Sequence, residues 1–230
     1  MKKRGKKYRE FLAKIEKGKA YEVSEAVQLI KDNCKAKVND TIEVHMKLGV
    51  DPKHADQVVR GNVVLPHGTG QKVRILVFAK GDLAKTAEEA GADYVGAEDL
   101  VAKIQEGWLD FDKAVASPDM MPVVGRVARI LGPRGMMPNP KSGTVVTDIA
   151  KAISELKAGK VSYRVDKGSN IHASVGKAHF DSDKLEENIK VMIDSVVKAR
   201  PVAAKGEYIN SIYLAVAMSP SIMLSKAVTR

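Results

Sequence analysis

Apolar and polar positions follow two rhythms along this chain. Thr41-Ile42-Glu43-Val44-His45-Met46-Lys47-Leu48 alternates strictly, which predicts a strand with one buried face. Val58 to Leu65 predicts a second strand, ended by Pro66. Lys160 to Val165 and Asn170 to Val175 are strand-like and flank Asp166-Lys167-Gly168-Ser169, a good turn sequence, so a hairpin is expected there. Tyr208 to Val216 predicts a last strand. Asp183 to Lys198 instead places Leu185, Ile189, Met192, Ile193 and Val196 at helical spacing. Tyr8 to Glu16 and Ser24 to Lys31 also read as helices. Ser24 is the expected N-cap, although Val27 stands where a capping box has Glu or Gln.

The middle of the chain has a different pattern. Lys72 to Phe78 is a short apolar run rich in β-branched residues, the signature of a fully buried strand. Asp82 to Ala90 reads as a helix stopped by Gly91, Asp93-Tyr94-Val95 as a strand, and Glu98 to Glu106 as a helix stopped by Gly107. Lys113 to Ala116 is a third strand. Val123 to Leu131 and Thr147 to Lys157 are the last predicted helices. This alternation implies a parallel sheet with helices on both sides. The expected fold class is therefore α+β with two domains. A split antiparallel-sheet domain is built from both ends of the chain, residues 1–66 and 160–230. A three-layer α/β/α, Rossmann-like domain is inserted over residues 67–159. Linkers near Leu65–Gly70 and Ala158–Lys160 would cross side by side, the geometry of a hinge.

One segment fits neither rhythm. Gly132-Pro133-Arg134-Gly135-Met136-Met137-Pro138-Asn139-Pro140-Lys141-Ser142-Gly143 holds three glycines and three prolines, so no helix or strand can run through it. Met136 and Met137 at its centre mark a loop built to hold one shape. It lacks the glycine that a Walker A motif places directly before Lys-Ser. A stiff surface connection and a binding loop both remain open.

Composition narrows the function. Hydrophobic residues make up 44% and aromatic residues only 5%, so the core is aliphatic. The single Cys34 excludes a disulfide framework and fits a reducing compartment, the cytoplasm. No run of about eighteen apolar residues exists for a membrane span. The net charge of +10 is unevenly spread: residues 67–159 carry 12 Lys and Arg against 12 Asp and Glu. The remaining 26 basic and 16 acidic residues lie in the two outer thirds, which hold the whole excess. Charge gathered on one domain is the footprint of a polyanion-binding protein.

A search for chemistry finds little. His45, His54, His67, His172 and His179 form no metal-ligand spacing, and no nucleophile elbow is present. His67-Gly68-Thr69-Gly70 precedes a strand, whereas a dinucleotide loop follows one. No cofactor site, metal site or enzyme activity is expected. On the outer strands, Thr41, Glu43 and His45, then Ser162 and Arg164, then His172, Ser174 and Lys177 combine hydroxyls, imidazoles and lysines that suit phosphate and ribose contacts. The same residues equally fit the wet face of an antiparallel sheet. With so few aromatics, folded RNA read through its backbone fits better than stacked single strands.

Several stretches together resemble the bacterial type of large-subunit ribosomal protein one. They are Val59 to Gly70, Ala90 to Gly96, Ala116-Ser117-Pro118-Asp119, the 132–143 loop, and Ile171 to Lys177. The resemblance implies a monomer within the ribosome that binds large-subunit rRNA at a mobile stalk and helps release deacylated tRNA from the exit site. It also implies repression of the protein's own operon through its mRNA leader. The implied RNA contacts are Lys37, Thr41, Glu43, His45, Lys167, His172, Ser174, Lys177 and the segment Ala217-Met218-Ser219, with Arg134 and Lys141 as further tRNA or rRNA contacts. Two departures stand out. Val38 replaces the family's usual phenylalanine, and Ala217-Met218-Ser219-Pro220 replaces Thr-Met-Gly-Pro, which puts the strength of binding in question more than its location.

Overall fold

The structure, a computed structural model, describes residues 5–16, 18–33, 40–217 and 219–229. In chain order, helices α1 (Lys6–Lys14) and α2 (Val23–Asn33) precede strands β1 (Thr41–Leu48) and β2 (Arg60–Val64). Next come β3 (Ile75–Phe78), α3 (Asp82–Glu89), β4 (Tyr94–Gly96), α4 (Glu98–Gln105), β5 (Lys113–Ala116), the short helices α5 (Met121–Val124) and α6 (Ala128–Leu131), and α7 (Ile149–Lys157). Strands β6 (Lys160–Arg164) and β7 (Asn170–Lys177), helix α8 (Ser182–Lys198), and strands β8 (Ile209–Val216) and β9 (Ile222–Leu224) follow. The result is a mixed α+β protein. Its contacts divide it into two compact units, Met1–Gly70 with Val161–Arg230, and Gln71–Lys160.

Unit 1 is organised by β1. This strand lies between β7 and β8 in an antiparallel sheet of order β7-β1-β8-β9. Its alternation becomes a division of faces. Ile42, Val44, Met46 and Leu48 are at most 1% exposed and meet Ile189, Met192, Ile193 and Val196 of α8 in one core with Val27 and Ile30 of α2. Each such aliphatic side chain contributes about 1.5–3 kcal/mol on burial. At the C-terminus of α8, Ala199 N donates to Ser195 O at 3.1 Å and to Val196 O at 3.2 Å, and two buried tyrosines add a second donor to each carbonyl. Tyr163 donates to Ser195 O at 3.1 Å and Tyr208 to Val196 O at 3.1 Å. Burial, with a smaller contribution from Tyr163, pushes the Tyr208 hydroxyl up to about 12.

Two local expectations are corrected. Helix α2 starts at Val23, and its first turn bonds Ala26 N to Glu22 O at 3.0 Å, so Ser24 lies inside the helix rather than capping it. The turn at Asp166–Ser169 forms, with Ser169 N donating to Asp166 O at 3.1 Å, but its flanking strands do not pair as a hairpin. β6 joins β2 in a separate two-stranded sheet, while β7 joins β1. The eight-residue alternation of β1 matches that of β7 and lets both bury a continuous apolar row. Of β6 only Tyr163 is buried.

Unit 2 is a parallel sheet of order β4-β3-β5 with helices on either face. Leu76 and Phe78 point to α4 and the α5–α6 segment, and Ile75 and Val77 to α3 and α7. The helix expected over Val123–Leu131 is broken into α5, a tight turn at Gly125–Val127, and α6. Gly125, a poor helix former, stands at the interruption, while Pro122 sits in the first turn of α5, where proline is tolerated; Val124, Val127 and Leu131 still reach the core. Beyond α6, Met136 and Met137 pack partly buried against that same core, which accounts for apolar residues in a proline-rich loop. Asn139 fixes the far half: its Oδ1 accepts from Lys141 N at 2.8 Å, and its own N donates to Thr144 Oγ1 at 2.8 Å. Among the described residues, no helix is long and apolar enough to cross a membrane.

Candidate RNA-binding face

The side chains that alternate with the core residues of β1 define the other face of the unit 1 sheet. The strand register sets them in rows. Thr41 lies opposite Lys177, Glu43 between Ser174 and Ala215, His45 between His172 and Tyr213, and Lys47 between Asn170 and Ser211. Met223 of β9 extends the Tyr213 row. Six residues expected as contacts, Thr41, Glu43, His45, His172, Ser174 and Lys177, therefore share one face.

Lys177 reaches this face only because β7 is irregular. Ser174 and Lys177 are three residues apart, so strict alternation would put them on opposite sides. The register slips there, pairing Ile42 with Gly176 and Glu43 with Ser174. Val175 and Gly176 are both buried, and Lys177 returns to the polar side, where its Nζ donates to Thr41 Oγ1 at 2.7 Å. This is a β-bulge, the device that re-aims a side chain within a ladder. Gly176 lets the bulge pack closely on its neighbours, since a Cβ there would lie 2.8 Å from Leu185 Cδ2.

At mid-sheet, His45 Nδ1 and His172 Nδ1 are 2.8 Å apart and their rings meet edge to face at 4.9 Å. One ring must donate and the other accept. His45 Nε2 lies 3.7 Å from Glu43 Oε2, and His172 Nε2 lies 3.4 Å from Asp166 Oδ2. Burial holds the His45 imidazole below its ordinary value, helped by His172 and opposed by Glu43. The Asp166 carboxyl is held below the usual carboxylate range, chiefly by the Asn170 N–H.

The remaining expected contacts occupy the two ends of the sheet. Lys167 sits in the exposed Asp166–Ser169 turn, beside the end of β1 where Lys47 Nζ donates to Gly168 O and Leu48 N to Ser169 O. Ala217 and Ser219 lie at the opposite end, after β8 pairs Val216 with Ile42. The Ser219 hydroxyl is engaged by its own turn, 3.2 Å from Val216 O and 3.3 Å from Val216 N. Lys37, Val38 and Met218 lie outside the described residues. Arg134 and Lys141 belong to unit 2 and are exposed.

Sequence reasoning missed several neighbours. Lys47, Asn170, Ser211 and Tyr213 lie on the same face, and simple continuation of the alternation would have found Lys47 and Tyr213. It also missed the uneven charge inside unit 2. Residues 71–119 carry 6 basic and 10 acidic residues, whereas residues 120–147 carry Arg126, Arg129, Arg134 and Lys141 and no acid at all. Arg74, in the acidic part, is tied to Asp110 at 2.7 Å and Asp112 at 3.4 Å.

Residues 30–220 match the family described as the Ribosomal protein L1p/L10e family. The chain belongs to that family, and it is a structural, non-enzymatic constituent of the large ribosomal subunit that binds rRNA.

Proposed function

We propose that unit 1 is a discontinuous RNA-binding domain whose polar sheet face holds a folded segment of large-subunit rRNA, and that unit 2 is a Rossmann-like inserted domain carried by it. The convergence of Thr41, Glu43, His45, His172, Ser174 and Lys177 on one face is the observation that carries this reading. Lys167 at one end of the face and Ala217 and Ser219 at the other extend the contact set, to which Lys37 and Met218, outside the described residues, are added on the resemblance. Hydroxyls and lysines meet phosphate and ribose oxygens, which positions the protein on folded RNA without base stacking. Charge supports the same division. Unit 1 holds 25 basic and 16 acidic residues, a net of +9, and unit 2 holds 13 and 12, a net of +1.

The resemblance to bacterial family members supports two finer roles for this monomer within the ribosome. One is assistance to deacylated tRNA leaving the exit site, with Arg134 and Lys141 as contacts. The acid-free stretch around them supports an approach to RNA. The other is repression of its own operon by an mRNA leader that occupies the rRNA face. Movement of unit 2 about the paired crossings near residues 65–70 and 158–160 would serve the first role.

A salt titration of the protein on a large-subunit rRNA fragment tests the core of this reading. Affinity falls steeply with salt, by about 0.7–0.9 in the log–log slope per phosphate neutralised. Lys177→Ala lowers that slope by about one and weakens binding at every salt concentration. A flat salt response, or unchanged affinity in both Lys177→Ala and Met218→Ala, overturns the assignment of the face. For the tRNA role, Arg134→Gln with Lys141→Gln slows tRNA departure from ribosomes. An unchanged rate leaves the loop as a brace for unit 2.

A further inference from the structure

Among the described residues of unit 1, tyrosines aside, Asn188 is the one buried polar or charged side chain, with 0% exposure. It stands on the inward face of α8, three residues after Leu185, where a hydrophobic side chain would be the ordinary choice. Both ends of its amide are engaged. Nδ2 donates to Val175 O at 2.8 Å and to Gly68 O at 2.9 Å, and Oδ1 accepts from His67 N at 3.2 Å. The first partner belongs to the bulge that turns Lys177 onto the polar face. The other two belong to the segment that leads out of unit 1, which ends at Gly70.

The junction has a second tie. A Cβ on Gly70 would lie 2.7 Å from the Phe180 ring and 3.1 Å from Lys177 Cγ, and a Cβ on Gly176 would lie 3.2 Å from the same ring. Gly70 also has φ of +69°, a conformation that suits glycine. The outgoing segment is therefore seated against the stem of Lys177 and against the ring that supports the bulge. His67 Nε2, 2.6 Å from Glu187 Oε2, holds it from the solvent side.

We propose that Asn188 is a positioning residue that couples the RNA face to the outgoing segment 66–70, so that RNA seated on Ser174–Lys177 stiffens the point from which unit 2 departs. The proposal rests on the reading of that face as the RNA site. A buried amide satisfied on both sides transmits a shift because leaving either carbonyl unpaired is costly. Coupling of this kind is reciprocal, so a loosened segment weakens RNA binding by the same factor by which RNA tightens the segment.

Hydrogen exchange of the full chain, with and without a saturating large-subunit rRNA fragment, tests it. In the natural protein, RNA slows exchange across 170–177 and, by about tenfold, across 66–70. In Asn188→Ala the slowing at 170–177 persists and that at 66–70 is lost. If Asn188→Ala fails to fold, Asn188→Leu serves instead, because it fills the buried site with a side chain of similar volume while removing the amide that bonds Val175 and Gly68; it too loses RNA-induced slowing at 66–70. Slowing at 170–177 that never reaches 66–70 in the natural protein overturns the coupling and spares the face. Full slowing at 66–70 in a folded variant overturns it as well. Absence of slowing at 170–177 removes the face reading and the coupling with it.

Discussion

At the scale of single residues, the His45–His172 contact sets a chemical limit on the sheet face. Two ring nitrogens 2.8 Å apart share one proton between them, and charging both rings would set two donors against each other. His45 resists protonation in the fold, first because it is partly buried and then because of His172. Its folded pKa thus lies below the ordinary value of about 6.5 found in an unfolded chain. Stability contributed by the neutral ring is complete above that value and is lost as pH falls from there toward the folded pKa. Urea unfolding at pH 7.5 and 5.5 therefore shows a loss of stability at the lower pH that is smaller in His45→Gln. NMR titration of His172→Gln finds the His45 ring moved up toward its ordinary value. Residue identities here were legible, because alternation alone assigned Thr41, Glu43 and His45 to one face. The contact between two histidines 127 positions apart was not, since nothing local links them.

At the scale of elements, the sequence signals were strong where a period ran long and weak where a register had to be chosen. The seventeen residues of α8 show a clear inward stripe, and the helix appears with ends within one residue of those expected. The strand pairing of β6 and β7 was misjudged because a good turn usually joins partners, yet here the longer apolar rows of β1 and β7 take precedence. The bulge at Val175–Gly176 leaves only a faint trace in sequence, a polar pair at odd spacing. The end of α8 also depends on distant groups, the hydroxyls of Tyr163 and Tyr208. Tyr208→Phe removes that donor while Val196 O keeps the Ala199 N–H, and lowers stability by about 0.5–1.5 kcal/mol. Thermal or urea unfolding checks this, and an unchanged midpoint would show that water replaces the hydroxyl.

At the scale of the whole molecule, charge is the property most plainly divided. With +9 on unit 1 and +1 on unit 2, a version that retains unit 1 and bridges Gly70 to Val161 with a short glycine-rich linker keeps both the rRNA affinity and the salt slope of the full chain. Filter binding across a salt series checks it, and a slope reduced by more than one would move phosphate contacts onto unit 2. The amino-acid sequence by itself determined most of the elements, the face each long one presents to a core and the segregation of charge, because periodicity and composition act over a few neighbouring residues. Only the tertiary structure decided that β1 would lie between strands from far along the chain, that a bulge would turn Lys177 outward, and that Asn188 would be buried with both donors and its carbonyl engaged. Those outcomes depend on which distant apolar rows and unpaired backbone groups satisfy one another, and no local pattern encodes that choice.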